Sequence, residues 1–334
     1  MRLQRRVQKS KRRFRYSPAE STCSDRRCVR PRLFALWYGC LTFIVVHTLH
    51  YLLFHNGDTD AGYQLAMQTH QRVVTLNDFA PVQYRFFSYY VPELIHRLLG
   101  TNIPQSYTAF RWVWLWGSCL ALQRYLCSWF DWRTAFIGNL IVIATMPFMY
   151  LEVDLLNTDA PACAFFVLGL MLLREERSIW LLATVPLSML FRETGVLVLF
   201  AWLAVTPAMK HPRMEITKLL VAAALAMSVY LGIRLVIGPK YNPWAWPLIW
   251  QNLTWPAAYF KLFATFNVLW LLTAPNLRRA PPFMRHTFFA APVVILVLWM
   301  FGIGTAARYY FPLFPLLLPL GLLSLNPAPR TSEK

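Results

Sequence analysis

The residues that could carry out chemistry fall into short polar segments of an otherwise apolar chain. The first segment, HNGDTDAGYQ, contains Asp58, Asp60 and Tyr63. Two carboxylates two residues apart could bind a divalent cation, or one of them could act as a general base. The alternative is a turn in which Asp60 caps a helix that starts at Ala61. We predict Asp58 and Asp60 as catalytic residues and Tyr63 as a substrate-binding residue.

Three further segments each place an arginine beside a second polar side chain. Guanidinium groups bind phosphate through paired hydrogen bonds, which makes these arginines candidate phosphate ligands. We predict that six residues of these segments bind substrate: Gln83 and Arg85 in NDFAPVQYRFF, Arg192 and Glu193 in LFRETGV, and Arg308 and Tyr309 in GTAARYYFPLFP. The alternatives are contacts of Arg85 and Arg308 with the lipid headgroup layer, and a mutual ion pair between Arg192 and Glu193.

An acidic segment, LEVDLLNTDAP, supplies Asp154 and Asp159. Asp159 could instead cap a helix that has Pro161 in its first turn. A solvated surface position would also suit Asp154. We predict that both carboxylates belong to the substrate-binding site.

The elements that must position these residues are membrane helices. The chain has 334 residues, of which 57% are hydrophobic and only 14% are charged, whereas a soluble domain carries about 25% charged residues. Its long apolar blocks do not alternate, which favours helices over a closed barrel. We predict an all-α, polytopic transmembrane helix bundle of about ten spans, within a range of about 8–12. The predicted spans are 33–54, 107–127, 133–151, 160–173, 178–191, 195–208, 216–237, 261–275, 286–303 and 309–324.

A basic arm orients this bundle. Residues 1–32 carry twelve basic and two acidic residues, which accounts for +10 of the net charge of +18. Because the arm directly precedes the first apolar block, we interpret it as a disordered cytoplasmic segment that contacts anionic membrane lipids, and we expect no nucleic-acid partner. Residues 33–324 then form the transmembrane domain, and 325–334 form a short cytoplasmic tail. In this orientation every polar segment named above faces the outer side.

The long outer loop at 55–106 contains an amphipathic segment. In YRFFSYYVPELIHRLLG, apolar residues recur at helical spacing, with Glu93, His96 and Arg97 among them. This pattern predicts a helix that lies on the outer membrane surface.

Cysteine spacing and sorting signals bear on metal sites and location. The six cysteines are scattered, without a CxxC pair or a Cys/His cluster of zinc spacing, so we predict neither a disulfide nor a structural metal site. The lack of sorting signals favours a bacterial inner membrane, with the ER membrane as the alternative. Asn252-Leu253-Thr254 is a glycosylation sequon on the predicted outer side, and it would matter only in the ER.

The order and sidedness of these segments resemble the GT-C superfamily of integral membrane glycosyltransferases. The resemblance covers about 33–324: a cytoplasmic N-terminus, one span, and then a large outer loop that opens with acidic residues. The segments that carry it are GDTDAGY (57–63), the Gln83/Arg85 stretch, the RET turn (192–194) and RYYFPLFP (308–315). Larger members also carry a soluble C-terminal domain, and we expect none here.

The resemblance implies an outward-facing active site that takes a polyprenyl- or dolichyl-phosphate-linked sugar as donor. By similarity, Asp58 or Asp60 would deprotonate or orient the acceptor hydroxyl. The leaving phosphate would be held by Arg85, Arg192 and Arg308, because its growing charge needs cationic partners.

Two other classes of function fit the same segments. One is a transporter or flippase of a lipid-linked anionic substrate, although the sequence shows no internal repeat and its charges cluster on one side of the membrane. The other is a polysaccharide polymerase or ligase, which would depend more on arginine and histidine than on paired acids. The expected partners are membrane lipids and the lipid-linked sugar donor. The sequence identifies no cofactor, and a divalent cation bound by Asp58 and Asp60 is left as an alternative.

Overall fold

The computed structural model describes residues 31–55, 59–150, 159–241, 248–302, 304 and 306–325, and the regular elements in these ranges are all helical. Fourteen α-helices occur there: α1 (Pro31–His55), α2 (Thr59–Val74), α3 (Phe86–Leu99), α4 (Ile103–Leu126), α5 (Trp132–Tyr150), α6 (Asp159–Arg174), α7 (Leu181–Phe191), α8 (Val198–Val205), α9 (Pro212–Ile237), α10 (Leu248–Thr254), α11 (Pro256–Phe266), α12 (Val268–Asn276), α13 (Pro282–Phe301) and α14 (Phe314–Leu322). Five short 3-10 helices extend or connect them: Val82–Tyr84, Ser178–Trp180, Glu193–Leu197, Thr206–Ala208 and Ala307–Leu313. The predicted all-α fold class is confirmed for this part of the chain.

Several of these helices suit a membrane. By length and composition, three helices of the described ranges can cross one: α1 over Leu33–Tyr51, α9 and α13. The pair α11–α12 also qualifies as a single span, although its axis bends by 73°. These apolar helices indicate a multi-pass membrane protein, whereas the count of about ten spans and their sidedness stay predictions.

The helices lie close to the predicted spans, but four of the predicted spans are divided. The span predicted at 195–208 is divided among a 3-10 helix, α8 and a second 3-10 helix, and the spans predicted at 178–191 and 309–324 each begin as a 3-10 helix. The span predicted at 261–275 breaks at Asn267, between α11 and α12, where φ is 39°. With ψ at −115°, the backbone of Asn267 lies outside the helical region, so the helix is interrupted there.

The amphipathic segment of the outer loop forms α3. This helix closes at Gly100, whose φ of 65° is the left-handed conformation that commonly ends helices. Near that end, Leu94, Leu98 and Leu99 are 53%, 73% and 70% exposed. Their apolar side chains suit the predicted position on a membrane surface.

Ion pairs join the ends of several helices on one side of the bundle. Arg124, at the end of α4, donates two hydrogen bonds to the carboxylate of Glu175, just after α6, at 2.7 and 3.0 Å. Lys218, near the start of α9, reaches the hydroxyl of Ser178 at 3.0 Å. We call this side the basic end of the bundle.

The same end contains the start of α13. Arg174, the last residue of α6, lies over the ring of Trp129, which packs against Phe283 in the first turn of α13. Since α4, α6, α9 and α13 all have one terminus at the basic end, their other termini lie on the opposite side. We call that side the cleft end; about 24 Å of helix α6 separates the two.

Close packing of α4, α6 and α8 fixes the position of α6. Cys119 and Leu122 of α4 lie in one buried cluster with Cys163 of α6. A Cβ added to Gly169 would lie 2.4 Å from the side chain of Val198, so the small residue lets α8 approach α6 closely. This packing holds the first residue of α6, Asp159, at the cleft end.

Candidate functional site

An arginine cluster forms at the cleft end from segments that are far apart in sequence. Arg85 precedes α3, Asp159 begins α6, Arg192 and Glu193 follow α7, and Arg308 and Tyr309 lie in the 3-10 helix Ala307–Leu313. We use "the arginine cluster" for these six residues. The structure therefore brings together six of the eleven residues that the sequence predicted for the site.

Two carboxylates join the three arginines. Asp159 forms an ion pair with Arg192, and its second oxygen lies 3.3 Å from Nε of Arg308. Nε of Arg85 donates a hydrogen bond to Oε2 of Glu193 at 3.2 Å. The side chains of Arg192, Asp159 and Glu193 are 3%, 11% and 28% exposed. Three guanidinium groups and two carboxylates give the cluster a formal charge of +1.

The ring of Tyr309 brings two of these arginines together. Cζ of Arg192 lies 5.1 Å and Cζ of Arg308 lies 5.3 Å from the ring centroid. The negative face of an aromatic ring attracts guanidinium groups, and more strongly away from water. Tyr309 therefore helps Asp159 to hold two like charges close to each other.

A small cleft opens on the cluster. Its lining combines polar and apolar side chains: Asp159, Ala162, Arg192, Thr194, Leu298, Arg308, Tyr309, Phe311 and Pro312. Arg85 and Glu193 are not among these lining residues. Cations beside an apolar wall suit a ligand that has an anionic group next to an apolar part.

A sharp turn after α7 delivers Arg192 and Glu193 to the cluster. The helix ends at Phe191, whose carbonyl accepts a hydrogen bond from the hydroxyl of Ser88 at 2.8 Å. A Cβ on Gly195 would lie 2.0 Å from Oγ of Ser188, so only a glycine lets the turn fold back on α7. Within the described structure, Nε of Arg192 and Oε1 of Glu193 are buried without a hydrogen-bond partner.

The segment that carries Arg85 is anchored to the end of α9. The guanidinium group of Arg234 lies between two rings, 4.4 Å from the centroid of Tyr84 and 4.3 Å from that of Tyr230. The hydroxyl of Tyr84 also accepts a hydrogen bond from the backbone N–H of Lys240 at 3.0 Å. These contacts fix the residue immediately before Arg85.

A buried hydrogen-bond network fixes the chain ahead of Tyr309. Asn252, only 1% exposed, donates to the carbonyls of Trp299 and Gly302 at 2.8 and 2.7 Å. Its side-chain oxygen accepts from the N–H of Gly304 at 2.8 Å. A Cβ on Gly302 would lie 3.1 Å from the ring of Tyr309, so this glycine allows the ring to pack against the backbone. The asparagine of the predicted sequon is thus a buried structural residue.

The structure does not show the mutual ion pair between Arg192 and Glu193 that was the alternative to substrate binding. Each of the two residues pairs with a different partner, Asp159 and Arg85 respectively. The backbone of Arg192 is extended, with φ −165° and ψ 143°, and successive side chains of an extended chain point to opposite sides. Asp159 is the first described residue of α6, and its carboxylate contacts two arginines.

Gln83 lies apart from the cluster although it is two residues from Arg85. Its side chain is fully buried, donating to the carbonyl of Val73 at 3.0 Å and accepting from the N–H of Asp78 at 2.8 Å. Because both amide atoms are used within the outer loop, we assign Gln83 to the structure of the loop and not to substrate binding.

The predicted catalytic segment is only partly described. Asp58 and Asp154 lie outside the described residues, and Asp60 and Tyr63 are placed only as backbone of α2. This helix begins at Thr59, so Asp60 lies in its first turn and does not cap a helix that starts at Ala61. Among the side chains that the structure describes, no group of three His, Cys, Asp or Glu residues could hold a metal ion. Asp58 is not one of these described side chains.

A buried chain of polar contacts, which no sequence pattern indicated, joins α2, α3 and α4. Nε2 of His70 lies 3.1 Å from Glu93, and Nδ1 lies 2.9 Å from the hydroxyl of Tyr107. Glu93 also accepts a bond from Arg97 at 2.6 Å. Burial lowers the pKa of His70 and outweighs the opposite effect of Glu93. Burial alone would raise the pKa of Glu93, but the bonds from His70 and Arg97 lower it.

Comparison with known proteins adds no assignment. No family model, curated protein or solved structure matches this chain. Function is therefore inferred from the geometry of the arginine cluster and from the residues around it.

Proposed function

We propose that this protein is a membrane glycosyltransferase that transfers a sugar from a polyprenyl-phosphate-linked donor to an acceptor on the outer face of the membrane. The observation that carries this proposal is the convergence of Arg85, Arg192 and Arg308 at the cleft end. Withdrawing three arginines from water is costly, which favours a functional reason for doing so. A departing phosphate provides one, because it needs fixed cations in a site of low dielectric constant.

The cluster suits the departure of a phosphate group. When the acceptor oxygen bonds to the anomeric carbon of the sugar, the bond between that carbon and the phosphate oxygen breaks, and its electron pair stays on the phosphate. The guanidinium groups of Arg192 and Arg308 line the cleft where this charge would develop. The unpartnered Nε of Arg192 offers a further donor for it. Leu298 and Phe311 beside them suit the start of an apolar lipid chain.

We assign the proton of the acceptor hydroxyl to Asp58 or Asp60. A carboxylate near the attacking oxygen can remove this proton as the glycosidic bond forms. Asp58 lies in the short connection between α1 and α2, and Asp60 lies in the first turn of α2, which begins at Thr59. The connection therefore leads directly into the outer loop that carries Arg85.

We further propose about ten spans with the basic arm in the cytoplasm of a bacterium, and the ER membrane as the alternative location. The separation of the basic end from the cleft end supports this orientation, because cytoplasmic loops are enriched in lysine and arginine. The cleft end then faces the periplasm. Exposed Arg278, Arg279 and Arg285 at the basic end fit the same arrangement.

The proposal is tested with purified full-length protein and a panel of polyprenyl-phosphate sugars. We expect at least one donor to raise the melting temperature and to release polyprenyl phosphate when an acceptor is present. Asp58→Asn combined with Asp60→Asn should abolish sugar transfer while leaving folded protein in the membrane, since the base is lost. Asp25→Asn, in the basic arm, is the control. Full activity of the double variant would remove the base assignment, and no response to any donor would argue against the function.

One observation favours a transporter or flippase as the second candidate. The bend of 73° between α11 and α12 at Asn267 makes this pair a broken span, and transporters often bind their substrates at broken helices. Proteoliposomes loaded with a fluorescent polyprenyl-phosphate sugar separate the two functions. Movement of the intact donor across the bilayer without loss of its sugar would favour transport.

A further inference from the structure

Asp159 has a place in the arginine cluster that the other carboxylate does not share. It contacts both Arg192 and Arg308, and like them it lines the cleft. Glu193 pairs with Arg85, and neither of these two is among the lining residues. Counted over the described residues, the cleft wall thus presents two guanidinium groups and one carboxylate, a local formal charge of +1.

We propose that Asp159 is a specificity-determining residue that makes the cleft prefer a phosphodiester, with one negative charge, over a phosphomonoester, with two. The inference rests on the proposed function, in which the sugar donor is a phosphodiester and the spent lipid carrier is a phosphomonoester. A phosphomonoester loses its second proton at a pH of about 6, so it is a dianion at neutral pH.

Charge balance is the physical reason. A monoanion neutralises the local charge of +1, whereas a dianion leaves one uncompensated negative charge beside the carboxylate of Asp159, and withdrawing an uncompensated charge from water is costly. This carboxylate is only 11% exposed, so water screens the repulsion incompletely. At an effective dielectric constant of about 20, one unit charge a few ångströms away changes affinity by about tenfold or more.

The preference would act on product release. The donor binds as a neutral assembly of phosphodiester and cleft. Breakage of the bond between sugar and phosphate creates the second negative charge on the phosphate, while the acceptor proton leaves with the base. Asp159 then repels the phosphomonoester product, which favours its release from Arg192 and Arg308.

The test compares two probes that differ by one methyl group and one charge: octyl phosphate and methyl octyl phosphate. Their dissociation constants for the detergent-solubilised full-length protein are measured at pH 8, and the ratio is compared among variants so that micelle partitioning cancels. Wild type is expected to bind methyl octyl phosphate more tightly. Asp159→Asn should shift the ratio by about tenfold toward octyl phosphate. Asp159→Glu should keep the wild-type preference.

Glu193→Gln is the matched control, because it removes the same charge from the cluster but not from the cleft wall. We expect Glu193→Gln to shift the ratio by about threefold or less, against about tenfold for Asp159→Asn. This estimate takes its electrostatic effect on the cleft as roughly half as large in logarithmic terms. An equal shift in both variants, or an unchanged ratio in Asp159→Asn, would overturn the role of Asp159.

A second pair of variants keeps the test decisive if Asp159→Asn does not fold. Thr194 also lines the cleft, and Thr194→Asp differs from Thr194→Asn only in charge. The aspartate should move the ratio about tenfold further toward methyl octyl phosphate than the asparagine does. Identical ratios in this pair would overturn the inference. If wild type binds both probes through Arg308 but no change of charge at position 159 or 194 alters the ratio, only this inference fails. If wild type binds neither probe, the proposed function fails as well.

Discussion

Arg192 and Glu193 show how two adjacent side chains of opposite charge can serve different partners. The extended backbone at Arg192 sends them to different sides, where one meets Asp159 and the other meets Arg85. Arg192, whose side chain is only 3% exposed, is stabilised by the carboxylate of Asp159 and by the ring of Tyr309. At the scale of single residues, the contacts that a charged side chain makes decide its role in the cluster.

Arg308→Lys tests whether the cluster needs guanidinium groups or only positive charge. Lysine keeps the charge but loses the planar fork and much of the stacking on Tyr309, so we expect affinity for polyprenyl phosphate to fall by about tenfold or more. Ligand-induced shifts in melting temperature measure this loss. Arg285→Lys, at the basic end, is the control and should behave as wild type. Equal shifts in the two variants would contradict a direct role for Arg308.

Because of His70, we expect the stability of the outer loop to depend on pH. Its pKa is lowered in the folded protein, so the unfolded loop binds more protons below the ordinary value of about 6.5. The contact of α2 with α3 should therefore weaken as the pH falls below about 6.5 and stay constant above it. The lowered pKa of Glu93 adds to the loss in the same direction at lower pH.

Hydrogen exchange of residues 64–74 at pH 7.5 and 5.5, corrected for intrinsic rates, measures this effect. Protection should be lower at pH 5.5 in wild type, while His70→Gln should remove the difference because glutamine does not titrate. Equal protection of wild type at both pH values would show that His70 does not control the loop.

At the scale of elements, short segments between helices carry the site while long helices hold it in place. The turn after α7, the segment before α3 and the 3-10 helix Ala307–Leu313 supply five of the six cluster residues. Each segment is fixed by contacts to a neighbouring helix: Ser88 holds the first, Arg234 the second and Asn252 the third.

Asn252→Asp tests this anchoring. The aspartate cannot donate to the carbonyls of Trp299 and Gly302, so two buried hydrogen bonds are lost at a cost of about 1–3 kcal/mol each. We expect a lower melting temperature together with weaker binding of polyprenyl phosphate. Thr254→Ala also removes the sequon but leaves Asn252 in place, and it should retain binding. Normal ligand binding in Asn252→Asp would show that the network does not position Tyr309.

The sequence predicted the helices well because apolar blocks and their interruptions are local properties of the chain. It also singled out four polar segments whose side chains meet in the arginine cluster, since charges within apolar surroundings are costly wherever they fall. It could not assign partners. Arg85 and Gln83 are two residues apart, yet one joins the cluster and the other stabilises a loop, because the path of the backbone decides which side each faces. Nor could it reveal His70 and Tyr107, whose contact spans 37 positions.

At the scale of the whole molecule, the bundle separates two kinds of charge. The basic end has exposed arginines and ion pairs between helix termini, whereas the cleft end has arginines withdrawn from water around Asp159 and Tyr309. Helices α4, α6, α9 and α13 connect the two ends. Once one end of the bundle is assigned to a side of the membrane, the side that the cleft faces is assigned as well.

Cysteine labelling tests that assignment. In a variant whose cysteines are replaced by serine, Tyr241→Cys places one thiol near the cleft end, where Tyr241 is 80% exposed. Arg279→Cys places one at the basic end. On intact spheroplasts, a membrane-impermeant maleimide should label the first, and the second only after permeabilisation, because the basic end should face the cytoplasm. The reverse pattern would invert the orientation and exclude an outward-facing site.

The buried amide of Asn252 also constrains how the protein can be made. Eukaryotic secretory cells attach oligosaccharides to sequons while a chain is still unfolded. A glycan on Asn252 could not be accommodated, because this side chain is enclosed by Trp299, Gly302 and Gly304. A eukaryotic host that glycosylates Asn252 would therefore yield misfolded chains. A bacterial host, or the Thr254→Ala sequence in a eukaryotic one, is the suitable route to homogeneous material.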